Sequence, residues 1–177
     1  MRTIYNPNEI IIKGNIAELV LYDTKGKERA RAIIDAEDTE KVKGFKWCLC
    51  SRKGKIDCVQ TKRDRSHETI SNVIMGFKSS KERMIDHKDR NPLNNRKSNL
   101  RVCIRAENNR NTGLSKNNTS GFKGVFWLKD IKQWMVRITA NKKPIYLGCF
   151  KDRTEAAIVY NKAALKYHGE FASLNQI

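Results

Sequence analysis

Residues 83–111 read RMIDHKDRNPLNNRKSNLRVCIRAENNRN, and this stretch constrains the fold more than any other. It is dense in Asp, His, Asn and Arg and poor in large apolar residues. Asn carries both a donor and an acceptor and forms turns readily. The stretch therefore reads as a long loop tied by its own side chains. Apolar structure must come in short pieces on either side of it.

Composition agrees. The 177 residues are 39% hydrophobic and 31% charged, against about 45–50% and about 25% in ordinary globular chains. One or two small domains with thin cores are expected, and a large single core is excluded. Full disorder is excluded too, because Trp, Tyr, Phe, Ile and Val recur along the whole length. No apolar run approaches the roughly 18 residues of a membrane span. The N-terminal MRTIYNPNEIIIKGN sets Glu9 and Lys13 around three isoleucines, so it lacks a signal peptide's apolar centre. The five cysteines are odd in number and form no CxxC pair. That argues against a secreted disulfide framework and a four-thiolate zinc site, and for reduced, mostly buried thiols in the cytoplasm.

The 36 Lys and Arg outnumber the 19 Asp and Glu, a net charge of +17. Such charge is the footprint of nucleic-acid binding. An anionic membrane surface would want one long basic amphipathic helix, and none is legible. Residues 112–177 hold 11 basic and 4 acidic side chains, net +7, which leaves 25 and 15, net +10, for residues 1–111. Both parts favour a polyanion.

The expected fold class is α+β, in four segments. Residues 1–66 form a β-rich N-terminal region. Strands are expected at 9–12, 16–22 and 29–34, with a turn at 23–26, then a hairpin of 45–50 and 56–61 around 52–55. Asp38 to Gly44 suggests a helical turn, and Trp47 reads as core. Residues 67–111 hold a short apolar element at 70–77 and then the polar stretch. Residues 112–119, TGLSKNNT, have linker composition. Residues 120–177 read as strands at 124–128, 133–139 and 145–150, then a helix. Asp152 and Glu155 make a capping-box pattern. Ala156, Val159, Tyr160, Ala163, Ala164 and Tyr167 share one helical face, and Gly169 ends the helix. Alternation puts Trp134, Val136 and Ile138 toward that helix and Met135, Arg137 and Thr139 on the bare face of the sheet.

Within the polar stretch, a β-loop-β-α unit would bring Asp86, His87 and Asn108 together. A carboxylate and an amide oxygen are hard ligands, suited to Mg²⁺ or another hard cation that keeps its waters. A neutral imidazole beside them can take a proton from water. These residue types suit metal-assisted phosphodiester cleavage. Asp86 through Arg101, continuing to Glu107-Asn-Asn-Arg-Asn111, resembles the HNH motif of phage and intron homing endonucleases. The text from Ile34 to Trp47 resembles the region that often precedes it. The resemblance implies a ββα-metal fold and DNA hydrolysis. It assigns Asp86 and Asn108 as ligands of a divalent metal (Mg²⁺, with Mn²⁺ the alternative), His87 as general base, and Asn99 as the residue that holds the loop. Many relatives carry a His-Arg pair where this chain has Ser71 and Asn72, and His67 lies four residues off that register.

Gly121-Phe-Lys-Gly-Val125, Trp134, Tyr146-Leu-Gly148, Glu155-Ala-Ala157 and Tyr160-Asn-Lys-Ala-Ala164 resemble the plant APETALA2/ethylene-response-factor DNA-binding domain. That family lays a three-stranded sheet in the major groove. Lys123, Gly124, Arg137, Thr139, Tyr146 and Tyr160 are the matching contact positions. Phe126, Leu128 and Pro144 stand where the plant domains are basic.

The expected protein is thus a monomeric phage- or mobile-element-encoded HNH endonuclease. It would act on double-stranded DNA in a host cytoplasm, away from membranes. The alternative is a non-catalytic duplex-DNA-binding regulator with a decayed nuclease unit, which Ser71 and Asn72 favour.

Overall fold

Short apolar clusters become short strands, paired into small antiparallel sheets. The computed structural model describes residues 7–52, 54–63 and 66–177. Two compact units divide between Arg105 and Ala106. Among the described residues, no helix is long and apolar enough to cross a membrane.

In the first unit, β1 (Ile10–Lys13), β2 (Ile16–Tyr22) and β3 (Glu28–Asp35) form a meander in that order. Asp23 starts the β2–β3 turn, as its sequence suggests. Its Oδ1 accepts the N–H groups of Lys25 and Lys27 at 2.9 and 3.0 Å. A 3₁₀ turn and α1 (Thr39–Val42) follow. β4 (Trp47–Arg52), β5 (Lys55–Arg63) and β6 (Ser66–Thr69) form a second sheet. The expected hairpin is present, and Lys53 of its turn lies outside the described residues. β6 pairs with β5 and carries that sheet past residue 66. The apolar element at 70–77 contains α2 (Ile70–Met75). Thr69 caps it by accepting the Asn72 N–H, and Gly76 ends it in the left-handed region.

β7 (Arg83–His87) and β8 (Leu100–Ile104) make a two-stranded hairpin. Such a hairpin is marginal alone. Here it shares one core with the N-terminal sheets. Leu19, Leu21, Ile34, Trp47, Val59, Ile70, Ile74 and Leu100 belong to a single buried cluster. Trp47 is core as expected, its indole N–H donating to the Val42 carbonyl at 2.9 Å. Buried Asn8 ties β2 to β4. It donates to the Val20 carbonyl at 2.7 Å and accepts the Trp47 N–H at 2.6 Å.

The division between units falls within α3 (Arg105–Arg110). The second unit continues with β9 (Val125–Leu128), β10 (Gln133–Ala140), β11 (Lys143–Phe150) and α4 (Arg153–His168). β10 lies central in the sheet. Asp152 accepts the Glu155 N–H at 2.7 Å. Val125, Val136 and Ile138 pack on Ala156, Ala157, Tyr160 and Ala164, the face that alternation assigns. Trp134 packs at the edge of this core, with Trp127 beside it, ring centroids 4.8 Å apart. Tyr167 departs from expectation at 37% exposed. The last turn is taken by His168, whose Nε2 bonds the Thr139 carbonyl at 2.9 Å.

The cysteines are free, as expected, but Cys103 alone is fully buried. Cys50, Cys58 and Cys149 are half-buried and Cys48 is exposed. Short strands with one solvated face cannot cover them all.

Candidate active site

The loop between β7 and β8 is held by its own side chains. Asp89 Oδ1 accepts the Asn91 N–H at 2.8 Å and Asn99 Nδ2 at 2.9 Å. Its Oδ2 accepts Asn94 Nδ2 at 2.7 Å. Asn99 returns the bond by accepting the Asp89 N–H at 3.1 Å, and also donates to the Asn94 carbonyl at 2.8 Å. Burial works to raise the Asp89 carboxyl, yet the bonds from Asn91, Asn94 and Asn99, with His87 nearby, hold it below the ordinary carboxylate value. Asn99 thus bonds across the loop to both Asp89 and Asn94. The sequence marks Asp89 as an acidic residue of the site, but not as the partner of Asn99.

A second set of bonds fastens the loop to the edge of the first sheet. Ile33 donates to the Leu93 carbonyl and accepts the Asn95 N–H, both at 2.7 Å. Just beyond, Asp35 accepts Arg96 Nε and the Lys97 N–H, each at 2.8 Å. Burial opposes ionisation of Asp35, but Arg96 and Lys97 outweigh it and lower its pKa. Lys97 also pairs with Glu37 at 2.6 Å and buried Asp38 at 3.0 Å. These two carboxylates push the Lys97 ammonium up to about 12. The N-terminal sheet therefore serves as the bench on which the loop rests.

Asp86 and His87 end β7. Asp86 faces Arg101 across the hairpin register. It is 6% exposed, and Arg101 Nη2 and Nε reach its Oδ2 at 2.7 and 2.9 Å. His87 is half-buried, with Nε2 3.0 Å from Asn95 Oδ1. The structure thus brings Asp86, His87 and Asn99 to one hairpin and its loop. Asn108 stands half-buried on α3, on the second unit's side of the division. Arg101 and Asn95 were missed as site residues. Cross-strand pairing of Asp86 with Arg101 was the one signal available for the former.

Ser71 and Asn72 lie in the first turns of α2. Ser71 is buried and its hydroxyl lies 3.2 Å from that of Thr69. Asn72 accepts the Ser79 hydroxyl at 2.9 Å. His67 is exposed on β6.

In the second unit, the open sheet face gathers Arg137, Thr139 and Tyr146. Arg137 pairs in register with Tyr146, which is 63% exposed. The Arg137 guanidinium lies 5.2 Å from the Phe126 ring centroid. Tyr160 is placed elsewhere. It is 4% exposed on the core face of α4, and burial pushes its phenol up to about 12. Gly124 sits over it at φ +75°, where an added Cβ would fall 2.1 Å from the Tyr160 ring. These two residues form a packing pair. Lys123 donates to the Arg110 and Thr112 carbonyls, both at 2.7 Å, and so covers the end of α3. Beside it lies a cleft of about 410 Å³ lined by Arg110, Lys123, Arg137, Thr139, Lys142 and His168 among others.

A family model described as HNH endonuclease matches residues 81–110, the span of β7, the loop, β8 and α3. Protein 3.8 of Escherichia phage T7 is 38% identical over 88 residues, which cover 50% of this chain and 72% of that protein. An uncharacterized HNH endonuclease of Acanthamoeba polyphaga mimivirus is 27% identical over 146 residues, covering 82% of this chain and 75% of the relative. No solved structure matches.

Proposed function

The chain belongs to the family of phage T7 Protein 3.8 and carries an HNH endonuclease domain, and on that premise we propose that it is a metal-dependent endonuclease of duplex DNA. One observation carries the reading. The HNH match falls on the hairpin that ends in Asp86 and His87, whose loop is locked from both sides.

The donor set suits a hard cation. Asp86 would supply carboxylate oxygen and Asn108 amide oxygen, the donor types that a hard divalent cation takes. Among the described residues no cluster of three His, Cys, Asp or Glu forms a dedicated metal cage, and Mg²⁺ does not require one. Asp86 and Asn108 would hold the metal, with Arg101 fixing the carboxylate through Oδ2. When bound, the metal supplies positive charge to the scissile phosphate and its leaving oxygen. His87 removes the proton of the attacking water. The new P–O bond forms as P–O3′ breaks, which leaves a 5′-phosphate and a 3′-hydroxyl.

Duplex binding falls to the open face of the second unit's sheet, through Arg137, Thr139 and Tyr146. The net +7 of residues 112–177 supplies attraction to phosphate. Lys123, Gly124 and Tyr160 shape that face from below and beside it. The relatives are viral, which supports a mobile-element homing role in a host cytoplasm.

The test is supercoiled plasmid incubated with Mg²⁺ or Mn²⁺, beside His87→Ala. Nicked or linear product from the wild type alone is expected. Plasmid left equally intact by both proteins would sink the nuclease reading in favour of the non-catalytic one.

A further inference from the structure

His87 has a partner whose own orientation is fixed. Asn95 is 1% exposed and lies in the β7–β8 loop. Its backbone N–H is held by the Ile33 carbonyl of β3 at 2.7 Å. Its Nδ2 donates to the Pro92 carbonyl at 3.1 Å. A carbonyl only accepts, so the amide end at Pro92 is nitrogen and the end at His87 is oxygen. That oxygen, 3.0 Å from His87 Nε2, also only accepts. Nε2 therefore carries the hydrogen. In a neutral imidazole the other nitrogen, Nδ1, then holds the lone pair.

We infer that Asn95 is a positioning residue that sets the tautomer of His87, so that Nδ1 is the atom that takes the proton from the attacking water. The inference rests on His87 being the general base. The water O–H bond breaks and its proton goes to Nδ1, while the water oxygen bonds to phosphorus. The P–O3′ electron pair leaves with the oxygen, which solvent water protonates. Asn95 Oδ1 keeps its bond to Nε2–H throughout and so also supports the imidazolium. Because the Asn95 N–H is fastened to Ile33, the N-terminal sheet reaches the reacting imidazole through a single residue. The sheet thereby becomes part of the base's support.

Two measurements on the full chain test this. The first is the ¹H–¹⁵N long-range spectrum of the imidazoles at about pH 8. The chain has three histidines, and His87→Ala assigns the signal. The Nε2–H tautomer is expected, and an Nδ1–H tautomer overturns the inference. The second is duplex cleavage kinetics. Asn95→Ala should lower kcat by about 10–100-fold with KM unchanged, the usual range for a residue supporting a ligand or base. Asn95→Asp, which keeps the accepting oxygen, should recover most of that loss. If His87→Ala is inactive while Asn95→Ala keeps the wild-type kcat, the positioning role falls and the nuclease reading stands. If His87→Ala cuts as fast as wild type, or wild type does not cut, both fall. Should Asn95→Ala fail to fold by circular dichroism, the wild-type tautomer and Asn95→Asp decide.

Discussion

Arg101 directs Nη2 and Nε to one oxygen of Asp86, at 2.7 and 2.9 Å, with both side chains more than nine-tenths buried. Removing one partner of a buried pair leaves an uncompensated charge, at a cost of about 3–5 kcal/mol. Arg101→Ala should lower stability by about that much in urea denaturation of the metal-free chain. A loss under about 0.5 kcal/mol would show that the pair is not a structural element.

Asp35 links the first sheet to the loop. Asp35→Ala removes an acceptor from Arg96 Nε and from the Lys97 N–H. A loss of about 1–3 kcal/mol is expected for charged hydrogen bonds of this kind. Hydrogen exchange should quicken first at the Lys97 and Asn95 amides. Uniform exchange across the hairpin would contradict the anchoring role.

Gly124 has no room for a side chain. Gly124→Ala would place Cβ 2.1 Å from Tyr160 Cδ2 and 2.8 Å from the Arg137 carbonyl, at φ +75°. Overpacking costs about 1–3 kcal/mol, and a left-handed alanine adds about 1–3 more. A drop of several degrees in Tm is expected, and an unchanged Tm would remove the packing pair.

His168 makes the second unit sensitive to acid. Burial lowers its pKa, Arg110 and Lys123 reinforce the shift, and the Thr139 bond opposes it. The folded state keeps the ring neutral, whereas the unfolded chain takes a proton near pH 6.5. The unfolded state then binds more protons, so stability falls as pH drops below about 6.5 and levels off below the folded pKa. His168→Gln should flatten that decline in melts at about pH 8 and pH 5. Parallel declines in both proteins would argue against it.

Arg137 is proposed to touch DNA. Arg137→Ala should weaken duplex binding and reduce the slope of log K against log salt by about 1 if the contact is to phosphate. Retained affinity and slope would move recognition elsewhere on the chain.

Much of the architecture was legible. Strands β2, β3, β9, β10 and β11, and the cap of α4, follow from period and turn residues, which act locally. So did the character of the 88–99 loop, because Asp and Asn announce side-chain bonding by composition alone. The partners were not legible. Tyr160 and Arg137 both match contact positions of the resembled family, yet one lies under Gly124 and the other on open surface. Tyr167 fits the helical period, but the last turn belongs to His168, which alone finds a carbonyl.

By itself the sequence determined the local elements, the excess of positive charge, and the order of Asp86, His87, Asn99 and Asn108 that marks the HNH motif. Local propensity and short-range side-chain bonds suffice for those. The tertiary structure alone decided that the two N-terminal sheets share a core with the hairpin, and that Ile33 and Asp35 seat its loop. It also decided that Asn95 faces His87 and Arg101 faces Asp86. Such contacts join residues up to about sixty positions apart. They exist because a two-stranded hairpin too small to bury itself must borrow another sheet's core and edge.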